Sequence, residues 1–166
     1  MRVREAIRAD VPALGDLFNA LILTTTVAWR DQVATSEEMF TWFRAQRRAG
    51  LPVLVAEHDG NVVGYACWSS FRGGDRFPGY RHTVEHTVHV DELHHGCGVG
   101  RTLLTALIEE ARRRKVHVMV AGIDADNDGS IAFHRALGFI ESARMPEVGR
   151  KFDRWLDLVL MQLVVR

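Results

Sequence analysis

The spacing of apolar residues divides the first part of the chain into two helices. Apolar residues recur every three or four positions across residues 10–23, with Pro12 in the first turn, and this period predicts an amphipathic helix. A second helix is predicted over residues 35–50, because Thr35 and Glu38 form a capping-box pair ahead of another apolar run.

Short runs rich in valine predict strands in the middle of the chain. The segments PVLVAEH (52–58) and NVVGYACW (61–68) flank Asp59 and Gly60, a pair typical of a type I′ hairpin turn. Valines and threonines dominate residues 84–90, which predicts a third strand in this region.

Helices and strands alternate in the second half of the chain. The spacing of leucines predicts a helix over 101–115, and VHVMVAGI (116–123) is typical of a buried strand. A short helix is predicted over 127–137, before Gly138, and a last strand over 154–165. The predicted order is β-α-α-β-β-β-α-β-α-β-β, a mixed α/β (α+β) fold in a single domain of residues 1–166.

Composition and charge narrow the class of protein. The 166 residues are 47% hydrophobic and 25% charged, which is ordinary for a globular domain. Because 21 basic residues balance 21 acidic ones, we expect no nucleic-acid partner. No run approaches the roughly 20 apolar residues of a membrane helix, so we expect a cytoplasmic protein with no membrane partner. Cys67 and Cys97 lack metal-site spacing and are expected to be reduced.

Residues 80–101 hold an unusual number of histidines and glycines. His82 to His86 matches HxxEH, a zinc motif that requires a helix to bring both histidines to one face. In the predicted strand the two residues would lie roughly 13 Å apart, too far to share one ion at about 2.1 Å. His94 and His95 are more typical of a solvated loop, so we expect no metal site.

Gly96, Gly98 and Gly100 lie between a predicted strand and a predicted helix. Free N–H groups and the helix dipole attract phosphate at such a turn. A dinucleotide-binding GxGxxG would need its third glycine at Arg101, and a nucleotide triphosphate loop would need Lys at that position. These glycines therefore indicate either a different phosphate site or a purely structural turn.

The segment His95-Gly-Cys-Gly-Val-Gly100 resembles the [Arg/Gln]-x-x-Gly-x-[Gly/Ala] loop of the GNAT superfamily of acyl-CoA-dependent N-acyltransferases, with His95 in place of Arg or Gln. The segment from Asn127 through His134 to Phe139 is similar to the Asn…Tyr…Gly-Phe segment of the same superfamily, with His134 at the Tyr position.

Further segments narrow the resemblance to one branch. RHTVEHTVHV, HVMVAGI and MPEVGRKFDRWLDLVLMQL are similar to phosphinothricin acetyltransferases and to acetyltransferases of methionine sulfoximine and methionine sulfone, from about Val3 to Val164. The resemblance implies a mostly antiparallel sheet with a splayed strand pair, about four flanking helices, acetyl-CoA as acyl donor, no metal, and a homodimer.

The resemblance also implies which residues bind acetyl-CoA. The glycine loop would hold the pyrophosphate and Asn127 the pantetheine arm, while backbone N–H groups around Val88 would stabilise the oxyanion. The residues expected at the acetyl-CoA site are Val88, His89, Val90, His95, Gly96, Cys97, Gly98, Val99, Gly100, Arg101, Asn127 and Ser130.

Two residues are expected to take part in catalysis. Glu85 alternates with the apolar side chains of its strand, and the resemblance implies that it acts as general base, directly or through water. The resemblance places His134 near the departing sulfur, where it could protonate the thiolate or take part in base chemistry.

The acceptor is expected to be a small amino acid. Arg72 aligns with a pocket arginine of the branch and could hold a carboxylate or an oxidised sulfur or phosphorus centre. Tyr80, Trp29 and Phe71 are expected beside it. A polyamine would favour an acidic pocket, whereas this loop offers several arginines and only Asp75.

Two alternatives to this function stay open. The first is the same chemistry on another amine, namely a peptide N-terminus, a polyamine or an aminoglycoside. The second is a non-catalytic acyl-CoA-binding regulatory module, against which the joint presence of Glu85, Asn127 and His134 argues.

Overall fold

The computed structural model describes residues 1–73 and 76–166, so Asp75 lies outside the described residues. The elements follow the predicted order. The helices are α1 (Val11–Thr24), α2 (Ser36–Arg48), α3 (Val99–Arg113) and α4 (Asp128–Arg135). The strands are β1 (Arg2–Glu5), β2 (Val53–His58), β3 (Asn61–Ser70), β4 (Thr83–Val90), β5 (Val118–Asp124), β6 (Ile140–Lys151) and β7 (Arg154–Val164).

Local signals in the sequence fix the ends of several elements. At the start of α2 the Thr35 hydroxyl accepts a hydrogen bond from the Glu38 N–H at 3.2 Å, and the Glu38 carboxylate accepts one from the Thr35 N–H at 2.7 Å. This is the predicted capping box. Between β2 and β3, Asp59 and Gly60 have φ angles of 49° and 81°, as the predicted type I′ turn requires.

The strands form one sheet in the order β1-β2-β3-β4-β5-β7-β6. Neighbouring strands are antiparallel except β4 and β5, which are parallel. The last strand of the sequence, β7, is not an edge of the sheet, because it lies between β5 and β6. The β6–β7 hairpin folds β6 onto its outer side, so β6 is the edge.

Helices cover both faces of the sheet. On one face, apolar residues of α1 and α2 pack on β2 and β3 around Leu14, Phe43 and Val55. On the other face, α3 and α4 pack on the sheet around Leu104, Leu107 and Met119. The alternation of side chains along β4 therefore sends successive residues to different helix layers. Among residues 1–73 and 76–166, no helix is long and apolar enough to span a membrane.

β4 and β5 separate along most of their length. Thr83–Glu85 pair with Val118–Val120, but β4 continues to Val90 and β5 to Asp124 without further pairing. The splayed strand pair implied by the resemblance is present, and it opens a gap in the middle of the sheet.

The backbone of β4 turns N–H groups into this gap. The Asp91 N–H donates to the Val63 carbonyl at 2.9 Å and Thr83 accepts from Phe71 at 3.3 Å, so the odd-numbered residues of β4 bond to β3. Because peptide groups alternate in direction along a strand, the N–H groups of Val88 and Val90 point towards β5. The pairing with β5 has already ended there, so no neighbouring strand among residues 1–73 and 76–166 accepts from these two N–H groups.

Candidate active site

Two cavities meet where β4 and β5 separate. One, of about 580 Å³, lies beside the N-terminus of α3 and is here called the α3 cleft. The other, of about 510 Å³, lies under α2 and is called the α2 cavity. Both are lined by Val27, Val88, His89 and Ser130. A molecule in the α3 cleft can therefore contact a molecule in the α2 cavity through the gap in the sheet.

The α3 cleft collects most of the residues expected to bind acetyl-CoA. Arg101 and Cys97 do not line it: both are exposed, and the Cys97 N–H donates to the His94 carbonyl at 3.4 Å. The predicted residues that do line the cleft are Val88, His89, Val90, His95, Gly96, Gly98, Val99, Gly100, Asn127 and Ser130.

The glycine turn forms the end of this cleft. Gly98 is the N-cap of α3 and is left-handed, with φ 80° and ψ 0°, and Gly96 has φ 74°. The amides of Val99 and Gly100 belong to the first turn of α3 and have no carbonyl four residues earlier in the helix to accept them. These N–H groups and the helix dipole make the turn an anion site.

His95 has a structural contact at the position where the superfamily carries Arg or Gln. Its Nε2 lies 3.0 Å from the carbonyl oxygen of Val90, the last residue of β4. The imidazole therefore ties the glycine turn to the end of the splayed strand. Asn127 is similarly placed at a helix start, where its side-chain oxygen accepts from the Ser130 N–H at 2.9 Å and caps α4.

The α2 cavity has mainly aromatic and aliphatic walls. Its two charged lining residues, Arg30 and Glu38, form an ion pair with an Nη2–Oε1 distance of 3.0 Å. The larger apolar residues of the lining are Phe18, Val27, Trp29, Met39, Trp42, Tyr65, Val88 and Ile123. Of the four residues expected at the acceptor site, Trp29 is in this wall.

The other three expected acceptor residues lie elsewhere. The Arg72 guanidinium is 5.8 Å from the centroid of the Tyr80 ring, and Tyr80 and Phe71 meet edge to face at 5.7 Å. None of the three lines the α2 cavity or the α3 cleft. Arg72 has a φ of 49° and its cation stacks on Tyr80, so its side chain is held away from both cavities.

Glu85 lies at the fork between the strands. Its carboxylate rests against Gly122 of β5, where an added Cβ would be 3.2 Å from Oε1, and Gly122 lines the α2 cavity. Desolvation raises the pKa of Glu85 above its ordinary value. A carboxylate with a raised pKa beside the gap is suited to accept a proton from an amine.

His134 is buried in the wall shared by α4 and the sheet. Its Nδ1 lies 2.7 Å from the Ser130 carbonyl oxygen, which can only accept, so Nδ1 carries the proton and Nε2 is the acceptor. Burial lowers the pKa of the ring, which favours this neutral form. Of the two roles expected for His134, the arrangement favours accepting a proton over supplying one to a thiolate.

His86 is a part of the site that the sequence did not reveal. Its ring lies 5.1 Å from that of His134, and neither ring nitrogen has a hydrogen-bond partner among the described residues. Burial lowers its pKa to about 3. His82 is exposed and bonds to the Lys115 carbonyl instead, so the HxxEH pair does not converge. No cluster of three metal-ligating side chains occurs within residues 1–73 and 76–166.

The family model for the acetyltransferase (GNAT) family matches residues 14–139, which contain β4, the glycine turn, α3 and α4. The chain belongs to this family. The GNAT chain is 48% identical over 163 residues to the L-amino acid N-acyltransferase MnaT of Escherichia coli, covering 98% of this chain and 93% of that protein.

Two further comparisons agree with the expected branch. An L-methionine sulfoximine/L-methionine sulfone acetyltransferase of Salmonella typhimurium is 47% identical, with 98% of this chain and 94% of the relative covered. The solved structure of a Salmonella typhimurium acetyltransferase with its cofactor acetyl-CoA superposes with a TM-score of 0.95 at 46% identity, covering 100% and 94% of the two chains. The GNAT fold expected from the resemblance is confirmed.

The residues of this GNAT chain that sequence reasoning missed are those of the α2 cavity. Met39 and Trp42 belong to the apolar run that predicts α2, and Tyr65 belongs to the segment NVVGYACW that predicts β3. Both elements are present, and the same residues also line the cavity. Apolar residues have the same spacing on a helix face that packs on a sheet and on one that lines a cavity. The sequence therefore contains no separate signal for the cavity.

Proposed function

We propose that this chain transfers the acetyl group of acetyl-CoA to the α-amino group of a small amino-acid-like acceptor of the methionine sulfoximine, methionine sulfone or phosphinothricin type. The observation that carries the proposal is the meeting of the α3 cleft with the α2 cavity at the gap between β4 and β5. Donor and acceptor then approach from opposite sides of the sheet and react in the gap. The names of the relatives support the amino-acid acceptor.

The α3 cleft fits the donor. Free N–H groups of the glycine turn suit the pyrophosphate, and the cleft continues along Val88–Val90 and Asn127 towards the gap. An extended molecule with an anionic end and a less polar arm matches this shape. Acetyl-CoA has that form, with the reactive thioester at the far end of the arm.

The residues of the gap suit the chemistry of acetyl transfer. The amine must lose a proton before its nitrogen attacks the thioester carbonyl carbon, and Glu85 is proposed to accept that proton directly or through water. The N–H groups of Val88 and Val90 would stabilise the negative charge that develops on the carbonyl oxygen. The carbon–sulfur bond then breaks, and the thiolate of coenzyme A leaves and takes a proton from water.

The walls of the α2 cavity favour an amino acid over a polyamine. Trp29, Trp42 and Met39 offer apolar surface to a side chain, and the Glu38 carboxylate is already paired with Arg30. A polyamine would require unpaired carboxylates along its length. Arg30 also replaces Arg72 as the arginine nearest the acceptor, since Arg30 lines the cavity.

We further propose that the chain forms a homodimer through the outer face of β6 and β7. β6 is an edge strand of 12 residues, and most of it is exposed. Apolar side chains are exposed along the hairpin at Ile140, Met145, Val148 and Trp155. Long exposed edges with apolar residues are usually covered in native proteins. Light scattering coupled to size-exclusion chromatography would distinguish a dimer from a monomer.

Thiol release from acetyl-CoA tests the function. The acceptor panel is methionine sulfoximine, methionine sulfone, phosphinothricin, ordinary L-amino acids, a peptide, a polyamine and an aminoglycoside. We expect turnover with the first three and weak or no turnover with the last three. Turnover only with the peptide, polyamine or aminoglycoside would show that the proposed acceptor class is wrong. Binding of acetyl-CoA without any turnover would favour the regulatory module.

A further inference from the structure

A buried lysine on β6 holds the segment that closes the α2 cavity. Lys151 is 3% exposed, and its Nζ donates to three backbone carbonyls, those of Ile22 at 2.6 Å, Thr25 at 2.8 Å and Ala28 at 2.6 Å. An ammonium group has three protons, so all of its donors are used. The first two carbonyls are at the C-terminus of α1, where a cation is favoured by the helix dipole.

The same strand supports this segment at a second position. At Gly149, two residues before Lys151, an added Cβ would overlap the six-membered ring of Trp29. The indole ring therefore lies directly on the backbone of β6, and only glycine leaves room for it. β6 thus holds the main chain of the segment through Lys151 and contacts the side chain of Trp29 at Gly149.

The segment held in this way, residues 25–30, forms a wall of the site. Val27, Ala28, Trp29 and Arg30 line the α2 cavity, whereas Val27 alone among residues 25–30 also lines the α3 cleft. The segment is irregular backbone between α1 and α2. Thr25 bonds to the Leu21 carbonyl at one end, and Arg30 pairs with Glu38 at the other. Between these ends, the contacts with β6 hold Ala28 and Trp29, so the position of this part of the wall depends on β6.

We propose that Lys151 is a positioning residue for acceptor recognition, which with Gly149 fixes residues 25–30 as the wall of the α2 cavity. The inference rests on the proposed function, in that the wall is taken to contact the acceptor. Lys151 itself lines neither cavity, so it would act through the segment that it holds. Loss of its three hydrogen bonds would leave three carbonyls without their donor and release the segment.

Steady-state kinetics of Lys151→Met test the proposal, with acceptor and acetyl-CoA varied separately. We expect the acceptor KM to rise at least tenfold and the acetyl-CoA KM to change by less than threefold. Arg113→Met is the control, because Arg113 is an exposed cation of α3 that lines neither cavity and lies outside β6 and β7. Equal changes in both KM values, or none, would refute the positioning role. Lys151→Arg keeps the cation and several donors and should recover part of the loss.

Hydrogen exchange of backbone amides gives a readout that does not depend on activity. Residues 22–30 should exchange faster in Lys151→Met than in the parent, while α3 is unchanged. If the parent acetylates nothing, the proposed function fails, but faster exchange would still support the tether. Unchanged exchange would show that Lys151 does not hold the segment, whatever the activity.

A double-mutant cycle covers the case in which Lys151→Met does not fold. Gly149→Ala should raise the acceptor KM in the parent, because the new methyl group displaces the Trp29 ring. The same change in a Trp29→Ala background should have little further effect, since the overlapping ring is gone. Additive effects of the two substitutions would contradict the proposed seat of Trp29 on β6.

Discussion

The rings of His86 and His134 pack against each other with centroids 5.1 Å apart and an angle of 36° between their planes. Phe139 packs on both rings, at 5.4 Å from His86 and 5.2 Å from His134. Burial lowers the pKa of each histidine. Charge repulsion from the neighbouring His134 ring lowers the pKa of His86 further. The pair is therefore neutral in the folded protein at physiological pH.

Neutral burial of His86 makes stability depend on pH. In the unfolded chain His86 is protonated below its ordinary pKa of 6.5, whereas in the folded chain its pKa is about 3. The free energy of unfolding therefore falls as the pH falls from 6.5 towards 3. One such group costs about 2 kcal/mol between pH 7.5 and pH 5. Urea denaturation of His86→Phe should show a shallower loss. Parallel curves for the variant and the parent would contradict a neutral buried His86.

Substitution of Glu85 by Gln should remove the proposed general base. We expect kcat to fall by roughly 10² to 10³, with acetyl-CoA affinity measured by calorimetry unchanged. A base acts in its carboxylate form, and the pKa of Glu85 is raised above the ordinary glutamate value of 4.5. As the pH is lowered, kcat/KM of the parent should therefore begin to decline before pH 4.5 is reached. Glu109→Gln, on the exposed side of α3, is the control. If Glu85→Gln retained most of the activity, another group would have to be the general base.

Substitution of His134 by Phe should have a smaller effect than that of Glu85. Its Nδ1 proton is bonded to the Ser130 carbonyl and its pKa is lowered, so the ring is not charged and does not supply a proton at neutral pH. We expect kcat to fall less than tenfold, with the alkaline side of the pH profile unchanged. Loss of an alkaline limb in the variant would instead identify His134 as the acid for the leaving thiolate.

Substitution of Gly98 by Ala should weaken donor binding. Gly98 has φ 80°, and a side chain there costs about 1–2 kcal/mol, which would distort the turn that presents the α3 amides. We expect the acetyl-CoA KM to rise about tenfold and the acceptor KM to change little. Gly79→Ala is the control, because an added Cβ at that exposed position meets no atom within 4 Å. An unchanged acetyl-CoA KM would argue against phosphate binding at the turn.

Features that depend on neighbouring residues could be predicted from the sequence. The capping box of α2, the Asp59-Gly60 turn and the glycine turn before α3 each follow from backbone preferences within a few residues. The lining of the α2 cavity could not be predicted in the same way. Trp29, Trp42 and Tyr65 come from a loop, a helix and a strand, and only the folded sheet brings them together.

The place of Arg72 could not be predicted from the sequence. The resemblance implies that Arg72 binds the acceptor, and its position depends on a positive φ and on the stacking of its side chain on Tyr80. Arg30 lines the cavity, where its guanidinium bonds to the carboxylate of Glu38 on α2. Neither contact has a periodic or local signature in the sequence.

The short pairing between β4 and β5 means that the sheet consists of two plates joined along a seam of three residue pairs. The other neighbouring strands share between four and eight residue pairs, so this seam is the shortest pairing in the sheet. A molecule that bonds to the amides of Val88 and Val90 and also contacts β5 would bridge the two plates where the strands do not pair. We therefore expect binding of the donor to stabilise the junction between the two halves of the sheet.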